Sequence, residues 1–288
     1  MKDYLIVTDS ACDITPSVLA EWGVACADLS FSFEGEEKQY SNRDMDIITF
    51  YDRMRSGDKA KTSAVNPDAF LNIFEEALKE GKDVFYVGFS TGLSATCHSA
   101  EIAAQQLAEK YTENKIYIVD TLSASAGLGL LVYLAVEKKK EGLSAEENAA
   151  YIESLKLKVN HWVAIDDLEY LKRGGRISPT VAVVGKALGI KPIIHVNDEG
   201  KLVNVLKARG RKNAMQTLIN KYGELAEDAK NGIVFISHSD CENEAKELAK
   251  QLKERYGVEV RLTTFIGTVI GAHTGPGTLV LFFVGKNR

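Results

Sequence analysis

Cysteine is scarce and scattered: Cys12, Cys26, Cys97 and Cys241 form no C-x-x-C pair. That spacing argues against a disulfide framework and suits reduced thiols in a cytosolic protein. The five histidines, His98, His161, His195, His238 and His273, include no i,i+4 pair and no neighbouring cysteine pair, so metal catalysis has no ligand set to start from. No apolar run approaches the roughly 20 residues that span a bilayer. Met1-Lys2-Asp3-Tyr4-Leu5-Ile6-Val7-Thr8-Asp9 places charge at once and has too short an apolar run for a signal peptide. The expectation is a cytoplasmic protein that does not span a membrane. A G-x-x-x-x-G-K-[ST] loop is missing, and Gly127 and Gly129 lack the preceding turn and third glycine of a dinucleotide fingerprint, so they read as close-packing positions in a small-residue helix. Internal repeats and low-complexity tracts are absent.

What is present is ordinary in bulk and uneven in charge. The 288 residues are 45% hydrophobic and 26% charged, enough for one large α/β domain or two smaller ones with a sizeable core. The net charge of −5 divides into −10 over residues 1–160 and +5 over 161–288. The two halves therefore face different tasks.

Up to about residue 160 the pattern alternates strand and helix. Strands are expected at Tyr4–Thr8, Val24–Phe33, Asp83–Val87 and Lys115–Val119, with Glu34–Asn42 a polar loop. Helices are expected at Asp46–Arg55, at Asp68–Lys79 after the Asn66 cap and Pro67, at Ala100–Lys110, at Leu128–Lys140, and from Ser144 to about Lys158. That alternation implies a doubly wound, mostly parallel sheet. After His161 the pattern changes. A strand His161–Ile165, a short helix Leu168–Arg173 and a helix from Ser178 to about Leu188 precede two apolar segments, Ile190–Val196 and Lys201–Ala208. Asn197-Asp198-Glu199-Gly200 between them is a hairpin signal. Helices at Lys212–Lys230 and Cys241–Tyr256 and strands at Ile233–Ser237, Val258–Leu262 and Thr278–Val284 complete an α+β half with a mixed sheet. The domains are thus 1–160 and 161–288.

Chemistry concentrates at Val87–Ala100, where an apolar strand turns into a helix and Ser90, Thr91, Ser94 and Thr96 stand near the helix's first turn. Such a turn has unpaired N–H groups and the positive end of the helix dipole, and can hold an anion. Capping by Ser90 or Thr91 explains the hydroxyls as simply. Gly88-Phe89-Ser90-Thr91-Gly92 also fits G-x-S-x-G, the nucleophile elbow of serine hydrolases, with Asp120 or Asp166 and His273 as conceivable partners in the required order. Thr62 and Ser63 are spare hydroxyls before a helix that Asn66 already caps. His273 and Thr274 lie in a glycine-rich loop, Gly271–Gly277. Basic residues cluster at Lys172–Arg176 and Lys207–Lys212 without aromatic interleaving, a pattern that suits an acidic partner or a phosphate better than nucleic acid.

Asp9-Ser10 with Asp13, Thr62-Ser63, Ser90 to Ser99, Leu-x-x-Leu-x-x-Gly-Gly-Arg-Ile at 168–177 and His273-Thr274-Gly275-Pro276-Gly277 together resemble the DegV family of bacterial fatty-acid-binding proteins, in order and over the whole chain. The resemblance implies two domains holding one long-chain fatty acid between them, palmitate or similar, with its carboxylate on hydroxyls and its tail in an apolar tunnel. It implies a carrier for a fatty-acid kinase, not itself an enzyme, with no metal or organic cofactor. Carried onto this chain, the head-group positions are Thr62, Ser63, Ser94, Thr96, His273 and Thr274. Arg173 and Arg209 would face the kinase or the transferred phosphate. Family members often read Leu-Ser-Gly-Thr where this chain has Leu93-Ser94-Ala95-Thr96, which sets an extra methyl beside the head-group hydroxyl. The hydrolase remains the alternative, though it lacks an HGGG-type oxyanion segment.

Overall fold

The structure, a computed structural model, describes residues 2–177 and 189–288; the helix expected over 178–188 lies outside them. Strand β1 (Tyr4–Asp9) is buried along nearly its whole length, as an apolar run in the middle of a parallel sheet should be. A 3-10 turn at Ser10–Cys12 and helix α1 (Pro16–Glu21), with Pro16 at its first position, return the chain to β2 (Val24–Ala27). The single strand expected over Val24–Phe33 is two strands in two sheets. The chain bends at Asp28-Leu29, the Leu29 N–H donates to Ser10 Oγ at 2.9 Å, and β3 (Ser30–Phe33) begins a separate antiparallel sheet. The expected loop Glu34–Asn42 contains part of its edge, β4 (Tyr40–Ser41). After α2 (Ile47–Arg55), capped by the Asp46 carboxylate, β5 (Ala60–Ser63) closes this sheet in the order β4-β3-β5. Thr62 and Ser63 therefore lie on an edge strand and not in a pre-helix loop.

Helix α3 (Pro67–Lys79) starts where expected, with Asn66 Oδ1 accepting from the Ala69 N–H at 2.9 Å. Strand β6 (Asp83–Gly88), helix α4 (Thr96–Ala108) and strand β7 (Ile116–Asp120) complete a parallel sheet ordered β2-β1-β6-β7. Helix α4 begins at Thr96 and not at Ala100, and the side chain that meets its first N–H is Ser94, whose Oγ accepts from Thr96 N at 3.2 Å, so neither Ser90 nor Thr91 caps it. Helix α5 (Ala126–Lys140) is followed by α6 (Ala145–Leu155), whose Ser144 and Glu147 form a reciprocal capping box.

From β8 (Val159–Ala164) onward the chain passes through α7 (Glu169–Arg173), the hairpin β9 (Ile190–Val196) and β10 (Leu202–Arg209), and α8 (Arg211–Leu225). It ends with β11 (Val234–His238), α9 (Glu242–Tyr256), β12 (Val260–Phe265), α10 (Thr268–Thr274) and β13 (Leu279–Val284). Six strands form a mixed sheet ordered β10-β9-β8-β13-β11-β12, in which only β11 and β12 are parallel. Helix α8 stops short of Lys230 because Ala226 turns extended and bridges to Gly285. His273, expected in a loop, lies in the last turn of α10.

Helix α5 packs against β1 and β6 of the parallel sheet and against β8, β11 and β13 of the mixed one. It is buried on every side from Ala126 to Val132, the signature of a helix enclosed by protein. Its glycines allow that closeness: a Cβ at Gly127 would lie 2.3 Å from His161 Nε2, and one at Gly129 would lie 2.6 Å from Ile14 Cδ1. Two buried carboxylates, Asp9 at the end of β1 and Asp13 beside the N-terminus of α5, are held by hydrogen bonds and by no cation among the described residues. Asp9 accepts from Tyr86 Oη at 2.6 Å and the Phe89 N–H at 2.9 Å; Asp13 accepts from Ser125 Oγ at 2.5 Å and the Gly267 N–H at 3.0 Å. Burial raises Asp9 to about 6 and Asp13 to about 7. Raised carboxyl groups stabilise the fold fully below their unfolded values near 4, and that contribution is lost as pH rises through 6 and 7. Denaturant unfolding of the wild type should show stability falling across pH 4–7 by up to about 1.4 kcal/mol per unit per group. Asp13→Asn should flatten that slope, and an unchanged slope would show that Asp13 titrates normally.

Candidate functional site

A cavity of about 210 Å³ opens between the sheets, walled mainly by apolar side chains such as Phe89, Leu171, Ile194, Val269 and Phe282. Its polar lining comprises Thr62, Ser63, Ser94, His273 and Thr274 together with Ser125, His161 and Arg176. Five of the six expected head-group residues thus line one cavity, although β5, the β6–α4 turn and α10 supply them from positions more than two hundred residues apart. Thr96 stands behind this wall. It is fully buried, bonds Ser94 Oγ at 2.9 Å and accepts from the Val65 N–H at 3.3 Å, so it holds Ser94 in place. Thr274 donates to Ile270 O within its own helix.

His273 Nε2 lies 2.8 Å from Thr62 Oγ1. Its Nδ1 is buried with no partner among the described residues, and a Cβ at Gly174 would lie only 2.0 Å from it, so glycine is needed there for the ring to fit. Burial, helped by the positive charges of Arg176 and Arg173, depresses the imidazole to about 4. The ring is therefore neutral near pH 7. With its proton on Nε2 it donates to Thr62 Oγ1, which leaves the Thr62 hydroxyl hydrogen free to donate into the cavity and puts a bare lone pair, not an N–H, in the unpartnered position.

A second, more polar cavity of about 320 Å³ shares Thr62, Arg176 and His273 with the first and is lined also by Arg173 and by Lys61, which pairs with Glu34 at 3.4 Å, so cations outnumber carboxylates there. The hydroxyl–imidazole cluster is thus the partition between an apolar cavity and a basic one. Arg176 was not among the expected site residues. It lines both cavities, and its Nε and Nη1 donate to Leu93 O at 2.9 Å and Gly174 O at 2.7 Å. The Gly-Gly-Arg run was the available signal, but the spacing did not show which arginine faces inward. Arg173 lies over the Tyr170 ring at 5.0 Å and faces the outer cavity only. Arg209 is exposed at the end of β10 and lines neither cavity.

The hydrolase constellation does not assemble. Ser90 is fully buried, and its hydroxyl donates to Gly200 O at 2.9 Å with no histidine bonded to it. Asp120 accepts from Thr91 N and Oγ1, Asp166 pairs with Lys191 and Arg211, and His273 is taken up by Thr62. A nucleophile needs its base within hydrogen-bond reach, and Ser90 has a carbonyl there instead. Among the described residues no helix is long and apolar enough to cross a membrane.

NMR of the imidazole resonances should find His273 neutral down to about pH 4. Titration near 6.5 would mean that water reaches the ring and that the partition is open.

The chain is similar to proteins of matching length. A DegV domain-containing protein of Clostridium perfringens is 41% identical, the match covering 100% of this chain and 99% of the relative. A solved DegV-family protein of Thermus thermophilus, described for its fatty-acid binding, superposes with a TM-score of 0.88 at 30% identity, covering 99% of this chain and 100% of that one. A stearic-acid-binding protein of Eubacterium ventriosum gives a TM-score of 0.88 at 27% identity over 98% of both chains. The family model described as an uncharacterised protein of the DegV family matches residues 4–286, and the chain belongs to that family.

Proposed function

We propose that this protein is a non-enzymatic cytoplasmic carrier that encloses one long-chain fatty acid and presents it to a fatty-acid kinase. The observation that carries the reading is the partition of neutral donors between an apolar cavity and a basic one. The fatty-acid-binding descriptions of its structural neighbours support it. An acyl tail gains about 0.8 kcal/mol per buried methylene, less the ordering cost of binding. The carboxylate then needs donors that are inexpensive to bury when the site is empty, and hydroxyls meet that need where a buried lysine would not. Thr62, Ser63 and Ser94 donate to the head group, with His273 orienting the Thr62 hydroxyl, Thr274 lining the wall beside it and Thr96 behind Ser94. Arg173, Arg176 and Lys61 lie where a phosphate added to that head group would emerge, and Arg209 faces the kinase. In this reading residues 1–160 supply the threonines and serines of β5 and the β6–α4 turn, and residues 161–288 supply His273 and Thr274, as two domains closing on one ligand.

Solvent extraction of denatured protein should release a fatty acid in near one-to-one amount by mass spectrometry, with no covalent adduct on the intact chain. Fluorophosphonate labelling at Ser90 together with an empty extract would overturn the carrier reading. Ser94→Ala removes one hydrogen bond to a charged group, worth about 1.5–3 kcal/mol, and should weaken fatty-acid binding at least tenfold. Arg209→Ala should leave acyl binding intact and lower acyl-phosphate formation with a cognate kinase. Loss of acyl binding in that variant, with circular dichroism unchanged, would return Arg209 to the ligand site.

A further inference from the structure

The serine of Gly88-Phe89-Ser90-Thr91-Gly92 takes no part in the site as described, yet it is fully buried and its hydroxyl is fully used. Ser90 Oγ donates to Gly200 O at 2.9 Å and accepts from the Gly92 N–H at 3.1 Å. Gly200 belongs to the tip of the β9–β10 hairpin, whose strands contribute Ile194, Val196 and Leu202 to the apolar cavity. The approach of tip to turn is backbone to backbone and needs glycine on both sides. A Cβ at Gly200, where φ is +71°, would lie 2.1 Å from Ser90 Oγ, and a Cβ at Gly92 would lie 2.6 Å from Glu199 O. Arg288 fastens the same tip from another direction, its Nη1 donating to Asn197 O at 3.1 Å and Leu122 O at 3.0 Å.

The turn held in this way carries the head-group serine. Ser90 O accepts from both the Leu93 and Ser94 N–H groups at 3.1 Å, so the backbone of Ser90 closes the turn that aims Ser94. The turn is anchored from outside by Gly200 O on the Ser90 hydroxyl, Ser123 O on the Ser90 N–H, the Asp120 carboxylate on Thr91, and Arg176 on Leu93 O. We infer that Ser90 is a positioning residue, a latch that uses the hairpin of the mixed sheet to hold Ser94 at the angle at which it donates to a ligand carboxylate. This rests on the carrier reading above. Preorganised donors contribute to affinity because their ordering cost is met before the ligand arrives, so a turn freed at Ser90 loses the head-group contact selectively while the apolar walls still enclose the tail.

The test separates head-group from tail by comparing a fatty acid with the fatty alcohol of equal length, each titrated by calorimetry into delipidated full-length protein. Ser90→Ala should lower affinity for the acid about tenfold and leave the alcohol within about twofold, so that acid-over-alcohol selectivity collapses. Ser90→Cys, nearly isosteric but a weak donor, should fall between the two. Gly200→Ala breaks the same contact from the hairpin side, and combined with Ser90→Ala it should cost little more than either alone. Equal loss for acid and alcohol would mean that Ser90 serves only the fold and would overturn the inference, as would a Ser90→Ala protein with full selectivity. If Ser90→Ala does not fold, the Ser90→Cys and Gly200→Ala comparisons decide. A wild type that binds neither ligand would sink the carrier reading and this role with it.

Discussion

The Asp13 carboxylate is where the fold is tied together. It lies in the turn after β1, accepts from Ser125 at the start of α5 and from the Gly267 N–H at the start of α10, and Ser125 in turn meets Ser237 of β11 at 3.1 Å. Thr264 of β12 donates to the Asp13 carbonyl at 2.8 Å. One acidic residue thus fixes the parallel sheet, the enclosed helix and the mixed sheet relative to one another. Two of its members hold unusual backbone: Asp13 has φ +53°, which aspartate tolerates, and Ser125 has φ +53° with ψ −147°, which costs serine on the order of 1–3 kcal/mol. The hydrogen bonds that converge on Asp13 hold both residues in these conformations. The cavity depends on this junction, since Ser125, Ile266 and Val269 line it from the same elements.

Electrostatics divides the work at the site. A cation buried in the apolar cavity would be costly whenever the ligand was absent, and the wall there offers hydroxyls and an imidazole that burial keeps neutral. Apart from Arg176, the charged side chains stand one layer out, where Lys61, Arg173 and Glu34 line the more polar cavity. Arg176 spans the two layers and spends two of its donors on Leu93 O and Gly174 O. It therefore also fixes the turn that carries Ser94 and the glycine against which His273 packs.

Three local signals in the sequence held because the determining partner is near in the chain. The Asn66 and Ser144 caps and the Asn197–Gly200 hairpin turn each bond within a few residues, and each stands where the sequence put it. The errors came where the partner was remote. Nothing in Val24–Phe33 marks Asp28-Leu29 as a change of sheet, because β2 is chosen by β1 and β3 by β5. The short polar stretch Ala60–Ser63 becomes a strand only because β3 pairs with it. Helix α10, glycine-rich and with no cap of its own, is capped from the other half of the chain: Asn42 Oδ1 accepts from Thr268 Oγ1 at 2.7 Å and the Val269 N–H at 3.2 Å. That is why His273 looked like a loop residue.

Ser90 carries the same lesson into chemistry. The strand, turn and helix around G-x-S-x-G are all present, so the local pattern matches a nucleophile elbow as well as any sequence can. What makes such a serine a nucleophile is the group that another part of the fold brings to its hydroxyl. Here the hairpin brings a carbonyl oxygen, which can only accept. The proton stays on Ser90, the oxygen is buried and unreactive, and the motif becomes an anchor for the serine one turn further on. A pattern of five residues specifies where a hydroxyl stands, and the partner delivered from more than a hundred residues away specifies what that hydroxyl can do.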